Sequence, residues 1–266
     1  VNLIALGLPL WTALLSLSFG STGLAHGQSQ SESCTAANAA LAEDYLYGYA
    51  PVAMEATRAI LTAVPDNTMP GQAPINQFAY ANALATPDDH LIVQPNADTL
   101  YTGAWLDLSK EPIILHVPDV GSRYYLIPML DAYSDQFASV GSRTTGNGEG
   151  NYAIVGPLWR GFTSDKVNAV ITAPTNTVWL LGRTLVNGPG DLHSAIAVTK
   201  RYQLIPLSAY QQFLETGSYK PATNVPVTQP TSDLQAFPVT DGAGFSSPEF
   251  FDVLARYAAA NPPPID

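Results

Sequence analysis

The chain has 266 residues, a net charge of −11 and an apolar share of 46%, enough to bury one large core or two modest ones. Its 11 Lys and Arg form no run longer than Lys200-Arg201, which argues against nucleic-acid binding by phosphate neutralisation and against an anionic membrane surface. One cysteine, Cys34, excludes a disulfide within this chain and a cysteine-rich zinc site, and leaves either a free thiol or one paired with another chain or with a portion of the protein not present here.

No charged residue precedes Glu32. The apolar run Leu3 to Phe19, followed by the small residues Ala25 and Gly27, reads as a signal peptide over residues 1–27. Pro9 and the Ser/Gly-rich stretch Ser16 to Gly23 weaken the rival reading of a membrane anchor. The expectation is a secreted or periplasmic protein that is free of the membrane after cleavage. Residues 28–35 are polar and read as a linker.

Asn38 to Tyr49 carries apolar residues at helical spacing, and Pro51 suits the first position of a second helix running to Val64. From Gly71 to Asp89 the pattern is loop. Strands are expected at Thr99 to Leu106, Ile113 to Val117, Arg123 to Leu130, Tyr152 to Val155, Val167 to Thr172 and Val178 to Val186. Turn clusters separate them, and the run Gly146 to Gly150 reads as a hairpin turn rather than a phosphate cradle, because a strand follows it. Asp191 is a natural N-cap for a helix to about Leu204, with Ser208 to Leu214 beyond Pro206. Residues 216–246 are a Pro/Thr/Gly-rich loop or linker, and residues 247–266 hold a last helix with Ser247 as cap and Pro248 first. Short strands at this spacing, flanked by helices, predict an α+β fold with an antiparallel β-sandwich-like sheet.

In a strand from Thr99, the residues Tyr101, Gly103 and Trp105 share one face and Leu100, Thr102, Ala104 and Leu106 the other. The first face suits stacking of a ring or sugar; packing under a helix is the plainer alternative. Asn96 and Asp98 suit bracing of the turn after Pro95, with Asp98 also a candidate base. Arg123, Arg143 and Arg183 can each clamp a carboxylate or fill a structural ion pair, for instance with Asp98, Asp131 or Asp135. Asp131 and Asp135 invite comparison with a glycosidase carboxylate pair, although surface aspartates at a strand end are commoner. The histidines, His26, His90, His116 and His193, lack metal-ligand spacing, so no zinc site is expected, while calcium held by backbone and carboxylate oxygens of a loop stays open; no cofactor is expected.

The ordered blocks Tyr45 to Pro51, Pro95 to Tyr101, Trp105 to Leu108, Arg123 to Asp135, Gly141 to Gly146, Tyr152 to Trp159, Leu181 to Arg183 and Tyr202 to Leu207 resemble the domain-of-unknown-function family numbered twelve-fifty-four, over about residues 40 to 210. The resemblance implies a helix-flanked β-sandwich-like domain of exported proteins, here residues 36–215. It also implies a companion C-terminal domain, numbered twelve-fourteen, toward which the last helix would lead and which is missing from this chain.

The function expected from these residues is binding of a small or oligomeric organic ligand in a cleft lined by Tyr101, Trp105, Arg123, Tyr124, Arg143 and Trp159. Two alternatives stand beside it. One is a hydrolase or lyase with Asp98 or Asp131 as base and an arginine stabilising negative charge. The other is a non-catalytic assembly subunit that forms a homo-oligomer.

Overall fold

The structure, a computed structural model, describes residues 26–89, 95–229 and 249–264, with side chains described from residue 38 onward. Residues 1–25 of the signal segment, His90, Ser247 and Pro248 lie outside the described residues, as do the side chains of His26 and Cys34. The chain divides into two units, Val1–Asp44 and Tyr45–Asp266, and the sheets, cavities and candidate sites belong to the second.

Helix α1 runs without interruption over His26–Leu61, so residues 28–35 are helical rather than linker, and Pro51 lies inside one helix instead of opening another. Proline has no N–H to offer the Tyr47 carbonyl one turn back. Burial of Pro51 and of the positions after it holds the helix together across that gap. Val52, Ala56 and Ala59 pack on Phe250 and Val253 of α4 (Glu249–Ala260). At Gly48 the two helices approach so closely that a Cβ would collide with the Leu254 side chain.

Among the described residues, nine strands form two sheets. In chain order they are β1 (Ala79–Tyr80), β2 (Thr99–Asp107), β3 (Ile113–Val117), β4 (Tyr125–Leu130), β5 (Gln136–Gly141), β6 (Gly150–Val155), β7 (Ala169–Thr172), β8 (Thr177–Leu185) and β9 (Gln203–Pro206). One sheet has the order β1-β2-β8-β4-β5 and the other β7-β6-β3-β9. All pairings are antiparallel except β6 with β7. The fold is α+β, two mainly antiparallel sheets with helices at both ends.

Alternation along the strands makes the core. Leu106, Tyr125, Ile127, Met129, Val178 and Leu180 of the first sheet meet Ile113, Leu115, Val117, Tyr152, Ile154 and Leu204 of the second. The helix expected from Asp191 to Leu204 is shorter. A 3-10 turn (Pro189–Asp191) leads into α2 (Leu192–Thr199), and Gln203–Pro206 leaves the helix to pair with β3. Tyr202 and Leu204 are drawn into the core, and that burial outweighs the local helical tendency. Asp191 makes no side-chain cap; its carboxylate is used elsewhere. Helix α3 (Leu207–Thr216) then covers the outer face of the four-stranded sheet through Tyr210 and Phe213. The glycine-rich run Gly146 to Gly150 joins β5 of one sheet to β6 of the other, so it is a crossover between layers and not a hairpin turn.

Candidate functional site

Strand β2 pairs with β8 over its whole length, placing Tyr101 opposite Arg183, Gly103 opposite Leu181 and Trp105 opposite Trp179. These residues occupy the outer face of the five-stranded sheet. Its two ends differ. At one end the Trp105 and Trp179 rings stack 4.8 Å apart and 7° from parallel, beneath Met54 and Leu61 of α1 and Tyr257 of α4. Trp105 is 3% exposed and is core, the plainer of its two readings. Between that stack and Tyr101 lies a cavity of about 110 Å³, lined mainly by apolar groups including Ala73, Ala79, Gly103 and Leu181.

The other end is polar. The Arg183 guanidinium lies 5.8 Å from the Tyr101 ring centroid, and the Tyr101 hydroxyl accepts the Asn96 N–H at 2.7 Å. That bond ties the Pro95–Asp98 turn to the strand. Strand β4 continues the row, since Leu126 pairs with Arg183 and Gly141 pairs with Leu126. Just beyond them the Arg143 guanidinium lies 5.6 Å from the Tyr124 ring centroid and donates to its hydroxyl at 3.0 Å. Two cation–π pairs therefore stand side by side at one end of the sheet.

The three arginines have different fates. Arg123 donates to both Asp191 carboxylate oxygens, at 2.5 and 2.7 Å, and to the Leu185 carbonyl at 2.6 Å. Hydrogen bonding to that guanidinium holds Asp191 at about 2. Arg123 is thus a structural ion pair fastening the 3-10 turn to the sheet, and its charge is neutralised. Arg143 and Arg183 make no ion pair among the described residues. The Arg183 Nε is buried without a hydrogen-bond partner, and so is the Thr99 Oγ1 on the same strand face. Thr99 pairs with Leu185, so it is the diagonal neighbour of Arg183, about 7–8 Å away.

The remaining candidates separate. Trp159 follows β6 of the other sheet and does not join this group. Asp131 is 2% exposed, and its Oδ1 accepts the N–H groups of Tyr133 at 2.8 Å and Asp135 at 3.0 Å. It braces a turn in which Ser134 takes the left-handed conformation, with φ 68°. Burial pushes the Asp131 carboxyl up, and the two N–H bonds oppose that shift. Asp135 is exposed beside it. Asp98 is exposed at the opposite end of the sheet, its carbonyl accepting the Val186 N–H. Since Leu130 pairs with Trp179, Asp98 and Asp131 lie roughly 25 Å apart along strands rising ~3.3 Å per residue. The single cleft expected from sequence is not formed. Tyr101 and Trp105 line one cavity, Tyr124 and Arg143 pair with each other farther along the same sheet, Trp159 follows a strand of the other sheet, and Arg123 is occupied.

Arg183 and Thr99 are the additions the structure makes. Arg183 stood out in the sequence only as a scarce cation, and its pairing with Tyr101 depends on a strand register that no local pattern reveals. Among the described residues no group of three or more His, Cys, Asp or Glu can hold a metal ion, and no helix is long and apolar enough to cross a membrane.

The family described as Protein of unknown function (DUF1254) matches residues 75–206, just under half of the chain. This corrects the wider resemblance read from sequence, because the block Tyr45 to Pro51 and helix α1 fall outside the match. No curated protein matches the chain. Among solved structures, the VPA0106 protein from Vibrio parahaemolyticus is similar at 27% identity and a TM-score of 0.52, over 84% of this chain and 51% of that one. The chain thus spans about half the length of that relative, whose likeness supports the two-sheet fold. An uncharacterised protein from Burkholderia cenocepacia aligns at 13% identity and a TM-score of 0.33, over 51% of this chain and 36% of that one, too distant to carry an argument.

Proposed function

We propose that this protein binds a small organic carboxylate on the outer face of its five-stranded sheet. Arg183 and Thr99 hold the carboxylate, Arg143 adds charge, and the apolar tail enters the cavity beside Tyr101 and Gly103. The observation that carries this reading is the pair of buried polar atoms without partners, Arg183 Nε and Thr99 Oγ1, on one face at diagonal positions. Buried polar groups are normally satisfied, and a guanidinium with a neighbouring hydroxyl is suited to a carboxylate. A cavity of about 110 Å³ suits a tail somewhat smaller than benzene, which fills a cavity of about 150 Å³. The apolar segment Leu3 to Phe19 supports export as the setting for this binding. The hydrolase or lyase alternative rests on Asp98 alone, since Asp131 lies at the far end of the sheet with its carboxylate engaged.

Calorimetric titration with short aliphatic and aromatic carboxylates tests the proposal. Binding is expected for the wild type, and Arg183→Gln should weaken it by about 1.5–3 kcal/mol, the range for hydrogen bonds to charged groups. Equal affinity in the two proteins would reject the site.

A further inference from the structure

The outer face of the four-stranded sheet is apolar under α3, where Ile114, Ala153 and Ile205 meet Tyr210 and Phe213. One cross-strand row breaks that pattern. His116 on β3 pairs with Asn151 on β6 on one side and with Gln203 on β9 on the other, so three polar side chains stand abreast. They line a cavity of about 450 Å³ with Glu149 and Arg201 at its edge and Phe213, Leu214 and Gly217 of α3 and its C-cap opposite. A sheet face that only received a helix would need none of these polar groups.

Their hydrogen bonding is incomplete in a specific way. His116 Nδ1 lies 2.9 Å from Asn151 Oδ1, an atom that only accepts, so the ring donates there and the lone pair of its neutral form falls on Nε2. The Gln203 Oε1 is buried without a partner. The His116 ring packs on Phe213 with centroids 5.0 Å apart. The cavity therefore presents one buried acceptor that requires a donor, a second acceptor on the half-buried His116 ring, an arginine and a carboxylate of opposite charge at its edge, and an aromatic ring in its wall.

We infer that this cavity is a binding site for a neutral polyhydroxylated ligand of monosaccharide size, distinct from the carboxylate site on the other sheet. Ligand hydroxyls donate to Gln203 Oε1 and His116 Nε2 and accept from Arg201, while Phe213 faces the C–H surface of the ring. A carboxylate is disfavoured here because both row acceptors would oppose its lone pairs.

The test is a titration of the full chain with glucose, galactose, mannose and myo-inositol, read by the imidazole resonances of His116. Saturable shifts with a Kd of about 1 mM or tighter are expected for at least one of them, weakening about tenfold in Gln203→Leu. Arg201→Ala, at an exposed position, serves as a second variant should Gln203→Leu fail to fold, and is expected to weaken binding by a similar factor. Arg183→Gln should leave these shifts unchanged. Absence of shifts with all four compounds, equal affinity in the Arg201→Ala protein, or a response to zinc ions alone would overturn the inference.

Discussion

Arg123 and Arg183 lie at the same end of one sheet, and a single carboxylate separates their chemistry. Asp191 sits at about 2 because it accepts from Arg123 and from the Asn187 N–H, whereas an unfolded aspartate titrates near 3.9. The folded value is the lower one, so this pair's stabilisation is complete above about pH 4 and disappears as the pH falls toward 2. Urea midpoints followed through that window should fall more steeply for the wild type than for Asp191→Asn; parallel profiles would show that the pair carries no such linkage. Asp131 is the opposite case, a carboxylate pushed up by burial. Asp131→Asn keeps the acceptor for the Tyr133 and Asp135 N–H groups without the buried charge, and is expected to be neutral or mildly stabilising. Asp131→Ala leaves both donors unsatisfied and should cost about 1–3 kcal/mol in chemical denaturation.

Strands were more legible than helices, for reasons visible in particular elements. The alternation of Thr99 to Asp107 and of Thr177 to Leu185 declares itself because one face is core and period two has no competitor. The sequence around Pro51 reads as two helices because the rule for proline concerns local hydrogen bonding, while the packing of Val52 and Ala56 on α4 is long-range. Residues 203–206 read locally as helix, and only the partner β3, some ninety residues earlier, makes them a strand. The β2–β8 seam is tight at Gly182. A Cβ on Gly182 would meet the Thr102 carbonyl oxygen at 2.9 Å. Gly182→Ala should therefore destabilise by about 1–3 kcal/mol through overpacking, seen as a lower urea midpoint at unchanged slope. Since Arg183 is the next residue, the same change should also loosen carboxylate binding.

For the whole molecule, the candidate site was legible as residue types and illegible as an arrangement. Of the residues singled out by type, Tyr101 and Trp105 share a cavity, Tyr124 and Arg143 pair with each other, and Trp159 lies after a strand of the other layer. Nothing short of the pairing register distinguishes the arginine with a carboxylate partner from the one without. A positive patch on a chain of net charge −11 also sets the ionic-strength response. Repulsion from the distributed negative charge acts at long range, and contact with Arg183 at short range. Raising salt from about 0.01 to about 0.1 M shortens the screening length from roughly 30 to 10 Å, removing more of the repulsion than of the contact. Carboxylate affinity should rise over that interval, and a steady decline in calorimetric titrations would show that exposed Arg143 dominates instead.

The sealed indole pair has an optical consequence. Two nearly parallel chromophores 4.8 Å apart couple their transitions, so circular dichroism near 230 nm (about the indole band) should carry a split signal that changes when helices α1 and α4 lift away. Because both indoles also line the cavity beside Tyr101, the same spectrum should respond to a ligand there and not to one in the cavity beside His116. Intrinsic fluorescence from these two residues therefore serves screening of the first cavity, and the second needs a probe placed at His116.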